Sequence, residues 1–182
     1  MKLKEMKTER IILRGINKDD WNNYVNHVID ADEIYIQYGY EPTPGLIDYI
    51  HESTPEVIYY SIIDIAANEM VGYIGILEEN NSIEFYIFKE YRKNNYCTEA
   101  LELFIKSYLN GDMTGTKHNE IVGETLLKNE ASIHILKKVG FEEEAIGFRL
   151  SFDENSDDIT TATGLRKYVY RKKKTKWTRR TE

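Results

Sequence analysis

At 182 residues, 41% of them hydrophobic, the chain is long enough to form one domain with a substantial buried core. Its net charge of −7 combines a basic C-terminus with an acidic body, which disfavours nucleic acid and suits a cationic partner. No apolar run of about 18 residues and no apolar signal segment occurs, so we expect a cytoplasmic protein without a membrane span. One cysteine excludes an internal disulfide framework, and four scattered histidines lack metal-ligand spacing, so no metal site is expected.

The first half of the chain predicts a strand, a helix and a hairpin. Arg10–Arg14 is predicted as a short strand, and Asp19 or Asp20 as the start of an amphipathic helix. Residues 31–56 are irregular, with a short helix expected around Leu46–His51. The next two runs favour β-structure and are separated by a four-residue turn, which predicts a hairpin. These runs are Val57–Ile65 and Met70–Leu77.

The stretch from Ser82 to Leu109 is the organising element of the sequence. Apolar residues alternate along Ile83–Phe88, which predicts a strand with two distinct faces. From Thr98 the period changes to that of a helix. The turn between them, Tyr91–Thr98, is cationic and leads into the helix N-terminus, an arrangement that favours binding of a phosphate or pyrophosphate. The predicted buried stripe of the helix is Leu101, Phe104, Ile105 and Tyr108.

The second half predicts a strand at Ile121–Leu127 and a helix with Asn129 as its N-cap and Gly140 at its C-terminal end. Phe148–Phe152 and Leu165–Tyr170 then form a terminal antiparallel pair around an acidic loop. This order of elements predicts an α+β fold, a mixed central sheet of about seven strands flanked by helices, and excludes an alternating Rossmann pattern.

Two motifs carry a resemblance to a known family. The turn resembles the acyl-CoA pyrophosphate loop of the GNAT superfamily of N-acetyltransferases, with Arg92 in the first motif position. Asn95 and Cys97 stand where the family usually has Gly and Gly/Ala, and Asn is the residue that most readily replaces a glycine of positive φ. The second block resembles the ribosomal-protein N-terminal acetyltransferase-like branch. It comprises Asn129, Ser132, Lys138, Gly140 and Phe141.

The resemblance extends to residues 8–14 and 70–76, and so covers nearly the whole chain. It implies a mostly antiparallel sheet and acetyl-CoA as co-substrate. It further implies that backbone groups of one strand and one Asn hold the pantetheine arm, and that the turn holds the pyrophosphate. The implied cofactor-binding residues are Phe85, Tyr86, Ile87, Arg92, Lys93, Asn94, Asn95, Tyr96, Cys97, Thr98 and Asn129.

Acetyl transfer to an amine requires a group that accepts the amine proton and a donor for the departing thiolate. Glu84 and Glu124 are equal candidates for the base, because each lies on a strand beside the implied cofactor site. Many family members use a tyrosine as donor seven residues after the Asn, but here that position is Leu136, so Ser132 is the candidate donor. Cys97 lies at a helix N-terminus near cations, an environment that can lower a thiol pKa, yet packing is its expected role.

The sequence thus predicts an acetyl-CoA-dependent N-acetyltransferase that acts by direct attack in a ternary complex. The acceptor is a primary amine, either a protein N-terminus or a small polyamine- or aminoglycoside-like compound. A non-catalytic acyl-CoA-binding module is the alternative, followed by a ribosome- or RNA-associated protein that uses the basic tail. Residues 1–170 are expected to form a single domain and residues 171–182 a solvated basic tail. A homodimer is compatible with the resemblance.

Overall fold

A computed structural model describes residues 3–27, 57–152 and 159–172. The helix expected around Leu46–His51, the acidic loop at residues 153–158 and most of the basic tail lie outside these residues. Over the described ranges, no helix is long and apolar enough to cross a membrane.

In the described part of the chain, eight strands form one sheet in the order β1-β2-β3-β4-β5-β6-β8-β7. Only β5 and β6 among them run parallel, which confirms the predicted mixed, mostly antiparallel sheet. The strand that the sequence pattern missed is β1, which is only two residues long. The strands are β1 (Met6–Lys7), β2 (Ile11–Gly15), β3 (Val57–Asp64), β4 (Glu69–Leu77), β5 (Ser82–Ile87), β6 (Glu120–Leu126), β7 (Glu142–Phe152) and β8 (Ile159–Arg171).

The first two helices begin slightly earlier than predicted because their capping residues differ, whereas the third begins where it was predicted. The first, α1 (Lys18–His27), is capped by Asn17, whose Oδ1 accepts from the backbone N–H groups of Asp19 and Asp20 at 2.9 Å each. The second, α2 (Tyr96–Asn110), starts two residues before Thr98 because Asn95 takes the N-cap position. The third, α3 (Glu130–Val139), has the predicted Asn129 cap and ends at Gly140 with φ +102°.

The helices lie on opposite faces of the sheet, and β5 shows this division. Ile83 and Ile87 belong to the same buried cluster as the predicted α2 stripe, whose four members are all buried. Tyr86 and Phe88 belong to a second cluster on the other face. There Tyr24 of α1 packs edge-on against Tyr86, with the two ring centroids 6.0 Å apart. The period-2 prediction for this strand is therefore confirmed.

A buried carboxylate fixes α1 to the sheet. Asp20 accepts two hydrogen bonds from the Arg14 guanidinium, at 2.6 and 2.8 Å, and a third from the Ser61 hydroxyl at 2.8 Å. Because its oxygens are satisfied by a bidentate partner, this carboxylate can be buried without a large desolvation penalty.

The terminal pair, β7 and β8, is longer than the sequence pattern indicated because charged residues lie in it. Glu143 pairs with Arg166 at 3.0 Å, and Glu144 pairs with Lys167 at 2.9 Å. Arg171 still belongs to β8, and Lys172 donates to the carbonyl oxygen of Leu109 at 3.3 Å. The first two residues assigned to the tail therefore contact the folded body.

Candidate active site

The parallel strands β5 and β6 diverge soon after they begin. They pair only at Ser82–Val122 and Ile83–Gly123, although β5 continues to Ile87 and β6 to Leu126. A cavity of about 450 Å³ lies beside this divergence. It is bounded by the end of β5, the loop before α2, the first turn of α2 and one face of α3.

Most of the residues implied for cofactor binding line this cavity. Of that set, only Asn94 is not in the lining; its side-chain amide instead donates to the carbonyl oxygens of Tyr91 and Arg92 within the loop. Ser132 lines the cavity, whereas Glu84 and Glu124 do not. The structure thus brings the implied set together, and their individual roles stay predictions. The lining residues are Phe85, Tyr86, Ile87, Tyr91, Arg92, Lys93, Asn95, Tyr96, Cys97, Thr98, Asn129, Ala131, Ser132, His134, Ile135 and Lys138.

Sequence reasoning missed Tyr91 and most of the α3 contribution to the cavity. Ala131, Ile135 and Lys138 follow the i, i+4, i+7 spacing that places residues on one face of a helix. That spacing was the available signal. The spacing was hard to recognise because another apolar residue, Leu136, lies between Ile135 and Lys138. Leu136 belongs to a different face of the helix, since it is buried and packs against the sheet beside Gly123.

The loop before α2 contains two non-glycine residues in the left-handed region, Lys93 with φ +66° and Asn95 with φ +63°. The positive φ expected for Asn95 is therefore confirmed. Its side-chain Oδ1 also accepts a hydrogen bond from Lys138 Nζ at 3.1 Å. The amides that follow, in the first turn of α2, have no acceptor within the helix and carry the positive end of its dipole. This end of the cavity is therefore suited to an anion.

We expect Asn95→Gly to keep its affinity for CoA within about threefold, and Asn95→Val to weaken it about 5- to 30-fold. Both changes remove the hydrogen bond from Lys138, so the difference in affinity between the two variants reports the effect of the backbone conformation alone. A β-branched residue in the left-handed region costs about 1–2 kcal/mol, whereas glycine adopts that region freely. Titration calorimetry of both variants makes the comparison, and equal dissociation constants would contradict it.

Arg92 is held at the end of β5. Its Nε donates to the carbonyl oxygen of Ile87 at 3.0 Å, and its guanidinium carbon lies 5.3 Å from the centroid of the Tyr86 ring. Arg92 therefore joins the loop to the end of β5 while it borders the cavity.

Cys97 is buried, and its burial raises the pKa of the thiol to about 12. The lowered pKa considered from the sequence is therefore wrong, because the apolar surroundings outweigh the helix dipole and the nearby cations. The side chain packs in the main core cluster, as expected, and also borders the cavity.

The N-terminal end of α3 brings Asn129 and Ser132 together. Asn129 Oδ1 accepts from the backbone N–H of Ser132 at 3.1 Å, and both residues line the cavity. Lys138, near the other end of the helix, reaches Asn95. The two ends of α3 therefore border different parts of the cavity, one polar and uncharged, the other cationic.

The two candidate bases occupy equivalent positions on the diverging strands. Glu84 and Glu124 are each the first residue after the last β5–β6 pair, so they lie on the same sheet face, opposite to α2 and α3. Their surroundings differ. The Glu124 side chain is 45% exposed, and its Oε2 lies 3.9 Å from Arg149 Nη2. Glu84 is partly buried, and its loss of water raises the pKa of its carboxyl.

A tyrosine on the next strand but one reaches Glu84 across a glycine. Tyr59 pairs with Gly75, and Gly75 pairs with Glu84. A Cβ atom at Gly75 would lie 2.6 Å from the Tyr59 ring, so only glycine leaves room for this ring. The Tyr59 side chain forms a hydrogen bond with Glu84 that lowers the pKa of the carboxyl, against the larger upward effect of desolvation.

We expect Tyr59→Phe to move the acidic limb of the pH–rate profile to higher pH. The hydroxyl stabilises the Glu84 carboxylate, so its removal raises the pKa of Glu84, and a base must be deprotonated to act. Rates measured between pH 5 and 9 at saturating substrate test this. A limb that stays in place or moves to lower pH would show that Glu84 does not control it.

In the described residues, no three His, Cys, Asp or Glu side chains are grouped so that they could hold a metal ion.

Comparisons with known proteins agree with this geometry. The family profile described as an acetyltransferase (GNAT) domain matches residues 10–142. Comparison with curated protein sequences gave no match. Among solved structures, a GNAT-family acetyltransferase from Bacillus anthracis is 18% identical with a TM-score of 0.71, and the match covers 92% of this chain and 98% of that one.

Two further structures share the fold at lower identity. Spermidine N-acetyltransferase from Vibrio cholerae, solved with CoA and spermine, is 14% identical with a TM-score of 0.68; the match covers 90% of this chain and 96% of that one. The ribosomal L7/L12 α-N-protein acetyltransferase RimL, solved with coenzyme A, is 13% identical with a TM-score of 0.67, covering 92% and 98%. Because the family profile covers well over half of the chain, this protein belongs to the GNAT acetyltransferase family, and the solved structures share its fold.

Proposed function

We propose that the protein transfers an acetyl group from acetyl-CoA to a primary amine by direct attack in a ternary complex. The observation that carries this proposal is the cavity at the divergence of β5 and β6, with the α2 N-terminus at one end and a carboxyl of raised pKa on the opposite sheet face. Residues 1–170 would act as one catalytic domain in the cytoplasm, with residues 171–182 as a basic tail.

The cavity lining fits acetyl-CoA. Phe85, Ile87 and Ile135 supply apolar surface for a thin, flexible arm, and the arm could hydrogen-bond to backbone groups of β5 that β6 leaves unpaired. At the loop end, Lys93 and Lys138 add positive charge to the free amides of α2. These groups would hold the diphosphate, while Asn129 would contact the pantetheine.

Acetyl-CoA supplies the acetyl group as a thioester. A protonated amine has no free electron pair, so the acceptor must lose a proton before or during attack. Glu84 would take that proton, and its raised pKa makes it a stronger base than an exposed carboxylate. Ser132 would donate a hydrogen bond to the sulfur as the thiolate leaves. Glu124 is the alternative base. Because Glu124 is exposed to water, its carboxylate would be a weaker base than that of Glu84.

Two acceptor classes remain in the proposal. RimL acts on a protein N-terminus, and the Vibrio cholerae neighbour acts on spermidine. Both acceptors are primary amines, and the acidic body of this chain would attract either one when it is cationic. Residues 31–56, which by the family resemblance would lie over the acceptor site, fall outside the described residues.

The test is titration calorimetry with acetyl-CoA, CoA and NADH, followed by a thiol-release assay on a panel of amines. We expect both CoA species to bind, NADH to give no heat, and at least one amine class to be acetylated. No binding of acetyl-CoA at a few hundred micromolar would overturn the proposal. Binding without turnover on either class would favour a non-catalytic acyl-CoA-binding module.

A further inference from the structure

The loop that borders the cavity is held by Arg10 and Asp64, which do not line the cavity, and by Tyr96, which does. We propose that Arg10, together with the Tyr96–Asp64 pair, is a positioning unit that holds the loop in its binding conformation and thereby sets the affinity for acetyl-CoA. This inference takes its ligand, acetyl-CoA, from the proposed function. The contacts from which it is argued do not depend on that function.

Arg10 joins the loop to the N-terminal part of the sheet. Its Nη2 donates to the carbonyl oxygen of Asn94 at 3.1 Å, and its guanidinium carbon lies 5.0 Å from the centroid of the Tyr96 ring. The backbone of Arg10 is itself fixed, because its carbonyl oxygen accepts from the N–H of Ile65 at 2.8 Å. Asn94 and Tyr96, on the two sides of Asn95, therefore both contact the residue that directly precedes β2.

Tyr96 provides a second attachment, to the end of β3. Its hydroxyl donates to Asp64, whose other carboxylate oxygen accepts from the backbone N–H of Ala67 at 2.8 Å. These hydrogen bonds lower the pKa of Asp64 and raise the pKa of Tyr96, so the carboxylate and the phenol stay in their bonded forms at neutral pH. Tyr96 therefore lines the cavity and is at the same time bonded through its hydroxyl to Asp64.

Arg10 also compensates a charge that would oppose an anion. Glu99 lies in the first turn of α2, beside the amides expected to bind the diphosphate. Arg10 Nη1 lies 3.5 Å from Glu99 Oε2, and the Thr8 hydroxyl donates to the other Glu99 oxygen. Without this cation, the Glu99 carboxylate would lower the positive potential at the helix N-terminus.

The expected consequence is an effect on affinity rather than on chemistry. A loop with two residues in the left-handed region, Lys93 and Asn95, is costly to order. If its contacts order it before the ligand arrives, binding does not have to supply that free energy. Because the unit lies at the phosphate end and away from Glu84, the turnover of bound substrate should be unaffected.

The test compares Arg10→Met with Arg14→Met. Both arginines belong to the β2 region and both form ion pairs, but Arg14 holds Asp20 and α1 rather than the loop. We expect Arg10→Met to raise the CoA dissociation constant and the KM for acetyl-CoA about 10- to 50-fold, with kcat within twofold at saturation. Arg14→Met should lower the melting temperature and leave the CoA dissociation constant within twofold. Tyr96→Phe, which keeps the ring, should weaken CoA binding about 3- to 10-fold.

Hydrogen exchange of the Glu99 amide, which donates to the Asn95 carbonyl oxygen at 3.1 Å and so depends on the loop conformation, gives a readout in the ligand-free protein that needs no CoA. We expect this amide to exchange faster in Arg10→Met and Tyr96→Phe than in the wild type and Arg14→Met. Unchanged exchange, or a CoA dissociation constant within twofold of wild type, would overturn the positioning unit. If wild-type protein binds no CoA, the proposed function fails, and the exchange rates alone decide whether Arg10 positions the loop.

Discussion

Replacing Glu84 with glutamine should lower kcat about 10²- to 10⁴-fold and leave CoA affinity unchanged, because a proton acceptor contributes a factor of that size. Glutamine has nearly the same shape and can still bond to Tyr59, but it cannot take a proton. Glu84 does not line the cavity, so the cofactor site should be intact. Steady-state rates with the best amine acceptor, together with calorimetric titration of CoA, measure the two effects separately.

The same variant should be more stable than wild type at neutral and alkaline pH. The folded-state pKa of Glu84 is raised from the ordinary value of 4.5, so the folded protein binds this proton more tightly than the unfolded chain does. The stabilisation from that proton is complete below 4.5 and is lost as the pH rises through the raised pKa. Glutamine is neutral throughout, so the stability difference should grow with pH over that window and vanish below it.

Glu124→Gln is the matched control, since Glu124 lies at the equivalent position on the neighbouring strand. Glu124 is exposed and paired with Arg149, so we expect its loss to change kcat by less than about threefold. The reverse result, with Glu124→Gln inactive and Glu84→Gln active, would assign the base to Glu124. Full activity in both variants would show that neither glutamate is the base and that the amine loses its proton to water.

Local sequence signals were sufficient for the elements that border the cavity. Alternation along β5 predicted its two faces, and the stripe that includes Phe104 predicted the buried side of α2. Asn95 was expected to have a positive φ because it stands where the family motif has a glycine and Asn tolerates that conformation, whereas the positive φ of Lys93 was missed. Each of these properties depends on neighbours within about eight residues, which is why the sequence pattern was enough.

The choice between the two glutamates could not be made from the sequence because it depends on contacts between strands. Glu84 and Glu124 have the same position relative to the divergence of β5 and β6, and their surroundings separate them: Glu84 is partly buried beside Tyr59, whereas Glu124 is exposed beside Arg149. The burial of Glu84 involves Tyr59, which lies 25 residues earlier and reaches it across Gly75. The raised pKa of the Cys97 thiol was hidden for a related reason, since apolar packing is not visible in the charges nearby in sequence.

The loop attachments through Arg10 were also hidden, although the sequence stretch that contains Arg10 was noticed as part of the family resemblance. The partners of Arg10, Asn94 and Glu99, lie more than 80 residues away in the chain. No helical or strand period connects positions so far apart. Only the pairing of β2 with β3, and the position of α2 against the sheet, brings them together.

Gly72→Ala should destabilise the fold and weaken CoA binding at once. A Cβ atom at Gly72 would lie 2.1 Å from the Tyr86 carbonyl oxygen and 3.0 Å from Ile87 Cα, both of which belong to the backbone. Backbone cannot rotate away, so β5 must shift at the residues that line the cavity and accept the Arg92 hydrogen bond. Overpacking of this kind costs about 1–3 kcal/mol, or roughly 2–12 °C in melting temperature.

Gly147→Ala provides the matched control on the exposed strand β7, where a Cβ atom would meet nothing within 4 Å. Since glycine is less favourable than alanine inside a strand by about 0.5–1 kcal/mol, this change should be neutral or slightly stabilising, with unchanged CoA affinity. Thermal unfolding and CoA titration of the two variants test whether close approach of β4 to β5 shapes the cleft. A Gly72→Ala protein that melts and binds CoA like wild type would show that β5 tolerates displacement there, and that the cleft does not depend on this contact.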